Sequence, residues 1–309
     1  MASNLSETPP GIKVRTAALS VVSNTTLILL KVVAGTVTGS VAILTEAIHS
    51  SIDLIASIVA FLSVRKADEP ADESHRYGHA KLENLAAAIE GILILIGAAV
   101  IAFEAIRRLI RGGEVKFIGI GIAVVGLSMA VNLIVSGMIL RTARRTGSPA
   151  LEADAAHLRT DALTSAGVLV ALVLVKITGA EWLDPAIALV VAASIVPTGV
   201  RLLLRSSRIL VDEALPADEV AVIRETIEEF AGQGVVGYHE LRTRRAGARR
   251  YVDLHVQFRK GTSLESAHRT AHEVQEQIES RLGGTDVLIH LEPQDRVRPG
   301  EELSAARRN

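Results

Sequence analysis

The chain has no cysteine. Disulfides and thiolate ligands are therefore excluded, and any metal site must be built from His, Asp and Glu. Net charge is nearly absent as well: 33 Lys plus Arg stand against 34 Asp plus Glu, a formal −1. Nothing in that balance points to nucleic acid. The sequence lacks a His-Glu-x-x-His run, which weighs against an intramembrane zinc peptidase. Its glycine pairs, "GTVTG" and "GIGIAVVG", have no Lys-Ser/Thr signature after them and read as close helix contacts, not phosphate loops. No low-complexity segment is present. The first apolar run is too long for a signal-peptide core and reads as a retained span.

What is there is apolar. Of 309 residues 49% are hydrophobic, yet 22% are charged, so the charge must be unevenly placed. Apolar stretches dominate from about Val14 to Arg205, and the rest is charge-rich. A membrane part followed by a soluble part fits this division. A span needs about 20 mostly apolar residues. Six segments qualify: Val14–Val37, Val41–Val64, Leu85–Ile110, Phe117–Leu140, Ala153–Ile177 and Trp182–Leu204. Asp184-Pro185 fits a helix start, with Asp as cap and Pro in the first turn. The expected organisation is a polar segment 1–13, a membrane domain 14–210, a soluble domain 211–293 and a disordered polar tail 294–309.

The loops alternate in charge. "GTVTGS" and "GAEWLD" carry no Lys or Arg. Lys13 and Arg15, Arg65 to Lys81, Arg141 to Arg145 and Arg201 to Arg208 lie on the other side, which places both termini in the cytoplasm. Arg107, Arg108, Arg111 and Lys116 depart from that rule. Beyond Leu210 the pattern reads helix, hairpin, helix, strand. That α-β-β-α-β order predicts a two-layer domain with helices on one sheet face.

Charged residues inside the apolar runs are costly and mark function. In "AIHSSIDLIA" His49 and Asp53 stand four apart, one above the other on a helix face. "AAHLRTDALTS" repeats the arrangement with His157 and Asp161. Two such faces together give two imidazoles and two carboxylates, a set suited to tetrahedral zinc, and the carboxylates cancel the ion's charge. The bland alternative, helix-packing His and water-facing Asp, weakens when the spacing occurs twice. Asp72, His75 and His79 in "ADEPADESHRYGHAKLE" have a spacing compatible with one metal, although polar loops with two His are common. Five His fall in the soluble part: His239, His255 and His290 on predicted strands, His268 and His272 on a predicted helix. Glu292 shares a face with His290. These groups either converge or decorate a surface. Asn24 and Asn132 read as interhelical hydrogen-bond formers. Lys31 either snorkels or lines a cavity, and Glu90 is either pathway-lining or interfacial.

The chain resembles the cation diffusion facilitator family, the zinc-exporting metal/proton antiporters. "AIHSSIDLIAS", "ESHRYGHAKLENLAA", "AAHLRTDALTSAGVL", "LDPAIALVVAASI", "ILVDEALP", "GYHELRTRRAG", "YVDLHVQF" and "DVLIHLEP" carry the resemblance in family order. The resemblance implies a homodimer in the cell membrane, with six transmembrane helices per protomer and a cytosolic, metallochaperone-like α+β domain. It implies a transporter, not an enzyme, that exports zinc by alternating access in exchange for protons, with cadmium, iron or cobalt as other cargo. A membrane-anchored zinc sensor that moves no metal is the alternative. The implied transport site is His49, Asp53, His157 and Asp161. The implied loop site is Asp72, His75 and His79. The implied cytosolic site is His239, His255, His268, His290 and Glu292, with Glu where family members often have Asp. The resemblance also implies that Lys81 pairs with Asp212. The chain lacks the His-rich loop between the fourth and fifth spans that many zinc members carry. His49 favours zinc over manganese, since manganese-type members use two Asp in that pair.

Overall fold

A computed structural model describes residues 11–38, 41–111 and 119–296; of residues 38, 41–46, 48–49, 119–121 and 296 it describes the backbone alone. The described residues form two compact units, one ending at Ser207 and one beginning at Arg208.

The first unit is helical: α1 (Ile12–Thr38), α2 (Val41–Ala67), α3 (Lys81–Arg111), α4 (Gly119–Thr146), α5 (Pro149–Thr178) and α6 (Leu183–Leu210). Helices α1, α3, α4, α5 and α6 contain stretches long and apolar enough to cross a membrane. With 27 residues α2 is about 40 Å long, enough for a hydrocarbon core of about 30 Å. Large apolar side chains point outward, among them Leu29, Phe103, Ile134 and Val190. Small ones fill the inside, with Ala17, Ala60, Ala86, Ala150 and Ala153 wholly buried. Lipid is as apolar as a helix side chain, so close backbone approach and polar contacts hold such a bundle, not hydrophobic burial.

Most helices run past the apolar segments expected for them. α3 begins at Lys81 instead of Leu85, α5 at Pro149 instead of Ala153, and α4 and α6 continue to Thr146 and Leu210. Apolar length reports contact with lipid, whereas a helix stops only where its hydrogen-bond ladder stops. At α5 that point is Ser148, whose side chain accepts from the N–H of Leu151, with Pro149 next to it. The same helix ends on Gly179 at φ 71°. Asp184 sits inside the first turn of α6, not before it, and pairs with Arg108 at 3.3 Å. Arg107 and Arg108 also meet Glu104, so two of the basic residues that depart from the loop-charge rule are paired, while Lys116 lies outside the described residues.

Polar contacts tie the helices. Buried Glu83 on α3 is 2.9 Å from Lys13 on α1, which also pairs with Asp68, and Glu83 accepts from Ser148 at the start of α5. Deeper, Ser20 donates to Asp154 at 2.9 Å and lies 3.0 Å from Ser57, to which Asn24 donates at 2.6 Å. Asn24 is therefore an interhelical hydrogen-bond former, whereas the Oδ1 of buried Asn132 has no partner among the described residues. Lys31 is buried and donates to Ser50 at 2.6 Å.

The second unit contains α7 (Ala217–Glu229), β1 (Val235–Ala246), β2 (Arg249–Phe258), α8 (Leu264–Leu282) and β3 (Thr285–Pro293). The sheet order is β1-β2-β3, antiparallel then parallel. Val252, Leu254, Val256 and Phe258 alternate toward a core shared with Ile223 and Ile227 of α7 and Val274 and Ile278 of α8. His255 points to the opposite face, which no helix among the described residues of this unit covers. Glu219 anchors the hairpin, meeting Arg250 at 2.9 Å and also Arg245. Gln294–Arg296 form a short turn, and the rest of the expected tail lies outside the described residues.

Two glycines of α3 give opposite expectations. A Cβ on Gly91 would lie 2.9 Å from the Leu203 nitrogen and 3.0 Å from the Gly199 oxygen, both backbone atoms of α6. A Cβ on Gly97 would meet nothing. Gly91→Ala should therefore lower the melting temperature of the solubilised protein, at a cost of about 1–3 kcal/mol. Gly97→Ala should hold or raise it, by up to about 1 kcal/mol, through helix propensity.

Candidate metal centres

The repeated His-x-x-x-Asp spacing brings its two helices to one place. His157 and Asp161 lie one turn apart on α5, and Asp53 faces them from α2. His157 Nε2 is 3.4 Å from Asp53 Oδ1 and 3.7 Å from Asp161 Oδ2. One ligand atom from each of the three residues falls within 4.8 Å of the others. His157 is buried and the two carboxylates are partly so. His49 stands one turn before Asp53 on α2, but its side chain lies outside the described residues. Glu90, which the sequence left open between pathway-lining and interfacial, is wholly buried on α3 and reaches the other ring nitrogen, with Oε2 3.5 Å from His157 Nδ1.

The loop between α2 and α3 gathers Asp72, His75 and His79. Asp72 Oδ1 accepts from the backbone N–H of His75 at 2.6 Å and from the N–H and hydroxyl of Ser74, each at 2.9 Å. The His75 N–H, then the Ser74 hydroxyl, hold the Asp72 carboxyl well below the usual carboxylate range. This acidic-side-chain turn fixes the loop. Asp72 Oδ2 is 3.3 Å from Nε2 of buried His79, and the two imidazoles lie 4.5 Å apart.

On the open sheet face His239, His255 and His290 occupy one row, each the register partner of the next. Glu292 reaches back across the row. Its Oε2 is 2.8 Å from His239 Nε2 and its Oε1 is 3.0 Å from His255 Nδ1. Hydrogen bonding from His239, and then from His255, lowers the Glu292 pKa against the opposing effect of burial. His239, His255 and Glu292 form a third group within 4.8 Å, and exposed His290 stands 4.0 Å from Glu292. A bulge in β1 between His239 and Arg242 leaves Glu240 at φ 50° and turns it toward His255, 3.6 Å away.

His268 does not join this group. It lies on α8, which packs on the other face of the sheet, and its ring meets His272 at 4.5 Å. The expectation that strand and helix histidines converge fails for it because the hydrophobic core fills the space between the layers. Asp212 pairs with Arg244 at 3.3 Å.

Each group combines neutral nitrogen donors with hard oxygen donors, so each can hold a divalent cation and none needs a thiolate. The helical unit matches a family model described as the cation efflux transmembrane domain over residues 17–211. The soluble unit matches one described as the cation efflux protein, cytoplasmic domain, over residues 215–294. The chain belongs to the cation diffusion facilitator family. Members of this family are transporters, and this one is a multi-pass membrane protein of the cation efflux type with an α+β domain at its C-terminal side. Among the similar proteins is an uncharacterized transporter of Synechocystis sp., 36% identical over 277 residues, 90% of this chain and 89% of that one. The cation-efflux pump FieF of Serratia proteamaculans is 33% identical over 290 residues, 94% of this chain and 96% of the pump. A solved structure, the metal-bound C-terminal domain of the CzcD transporter from Thermotoga maritima, aligns at 22% identity over 27% of this chain and 100% of its own, with a TM-score of 0.24.

The loop of this cation diffusion facilitator offers a test that needs no metal. Asp72→Ala removes the acceptor for the N–H groups of Ser74 and His75. Hydrogen bonds to a charged group contribute about 1.5–3 kcal/mol. In chelator, trypsin should cut after Arg76 about ten-fold faster or more in the variant, and an unchanged rate would mean that Asp72 does not hold the loop.

Proposed function

We propose that this cation diffusion facilitator exports zinc from the cytoplasm in exchange for protons. The observation that supports this most is the meeting of His157 Nε2 with Asp53 and Asp161 inside a lipid-facing bundle. Paired carboxylates in hydrocarbon require a compensating charge, and a divalent cation supplies it. With His49 as fourth ligand the set is two nitrogens and two oxygens, the donor mix and number of tetrahedral zinc. Cadmium, iron and cobalt accept the same donors and are secondary cargo.

Exchange follows from the ligands. Only neutral imidazole binds a metal, so an arriving cation must displace any proton on the coordinating nitrogens. Cation binding expels protons, and protons arriving from the far side compete for the same atoms and release the cargo. Alternating access exposes the site to one side at a time. Both termini are cytoplasmic in this reading, in accord with the charges of most loops. The protein works as a homodimer. Asp72, His75 and His79 hold a second zinc ion, and His239, His255, His290 and Glu292 hold regulatory zinc, joined by His268 only if a second copy supplies it.

Three outcomes follow in sealed vesicles. Asp53→Ala should abolish zinc flux in a protein that still folds, and wild-type flux would sink the site assignment. His49→Asp replaces a borderline nitrogen with a harder oxygen and should move the metal ranking toward cadmium or manganese. An imposed proton gradient should drive zinc across with no zinc gradient present. If folded, zinc-binding protein moves none, the antiport reading is wrong and a non-transporting sensor gains.

A further inference from the structure

The exchange described above leaves Glu90 of the membrane unit idle. Glu90 is wholly buried on α3, and among the described residues neither of its oxygens has a hydrogen-bond partner. An unpaired carboxylate in such surroundings costs several kcal/mol. The α3 helix cannot turn it away. Gly91, the next residue, packs backbone to backbone against Gly199 and Leu203 of α6 and so fixes the rotation of α3. That rotation aims Glu90 at α5. Its Oε2 stops 3.5 Å from His157 Nδ1, an atom that is also buried and without a hydrogen-bond partner among the described residues.

The two nitrogens of His157 thus face different groups. Nε2 faces Asp53 and Asp161, and Nδ1 faces Glu90. A neutral imidazole carries one proton, so whichever nitrogen holds it cannot bind a cation. An acceptor at Nδ1 keeps the proton there and leaves the Nε2 lone pair directed at the two aspartates. Carboxylates commonly orient metal-binding histidines in this way and raise their basicity.

We propose that Glu90 is a positioning residue for the cargo site, accepting the Nδ1 proton of His157 so that Nε2 is presented to the cation. Glu90 is not itself a ligand, since it approaches the nitrogen that turns away from Asp53 and Asp161. This rests on the reading of Asp53, His157 and Asp161 as the cargo site.

Zinc flux in sealed vesicles, measured as KM and maximal rate, tests it. Glu90→Leu removes the acceptor and should raise KM 10–100-fold, the usual effect of losing such a partner. Glu90→Gln keeps an acceptor oxygen at the same reach and should restore KM close to wild type. Glu90→Asp keeps the charge but withdraws the oxygen by one methylene, and should again raise KM. If Glu90→Leu does not fold, the contrast between Gln and Asp decides. Wild-type KM in all three variants overturns the proposal. So does a Gln variant as impaired as the Asp or Leu variant, which would make Glu90 a needed charge instead of an acceptor. Asp161→Asn runs alongside: if it transports like wild type the cargo-site reading has failed, whereas its loss of flux with unaffected Glu90 variants removes only the role of Glu90.

Discussion

A charge enclosed by hydrocarbon must be compensated, and the membrane unit is arranged around that requirement. Its buried acids form a graded series. Glu83, near the start of α3, is satisfied by Lys13 and Ser148. Asp154 has one oxygen bonded to Ser20 and the other without a partner among the described residues. Glu90 has neither oxygen bonded there. Compensation by the protein thus declines toward His157, which stands between Asp53 and Asp161. Were these acids fully neutralised by lysine or arginine, the bundle would be more comfortable in lipid and would have no use for a cation.

The three clusters share one chemistry and differ in how far they are arranged in advance. Asp72 is locked by its own loop, and its carboxylate is set before any ion arrives. Glu292 is held by the histidines it would share with an ion, so binding there has to displace or polarise existing contacts. The site at His157 is the most buried, and its geometry depends on separate helices keeping their places. Sites that must release cargo benefit from such dependence, because a small helix shift changes several ligand distances together.

Much of the fold was legible because lipid contact leaves a long apolar signature. Helix ends were less legible, because the ladder of α3 continues through Lys81–Asn84, where Leu82 stands among polar side chains. The same blind spot left Glu90 ambiguous: placed near the edge of a span it looks interfacial, whereas the true start of α3 puts it well inside. His157 and Asp161 were readable together because helical spacing alone puts them on one face. Their approach to Asp53 was readable only through the repetition of the spacing on a second helix. The row His239, His255 and His290 follows from strand alternation and register. His268 lies apart from that row within one chain, and a sequence pattern does not say which side of a sheet a helix will cover. The bulge at Glu240 left no recognisable mark, since the usual residue for a left-handed position is glycine.

The parallel pairing of β3 with β2 has a consequence for how the protein is made. A parallel neighbour requires a crossover, here α8, so the strand that carries Glu292 follows both histidine strands in the chain. Glu292 lies 53 residues after His239 and leaves the ribosome after it. Until then His239 and His255 are exposed on an unfinished sheet without the carboxylate that binds them together. The cluster therefore comes into being only once β3 has been made, and a chain truncated before β3 would carry His239 and His255 without Glu292.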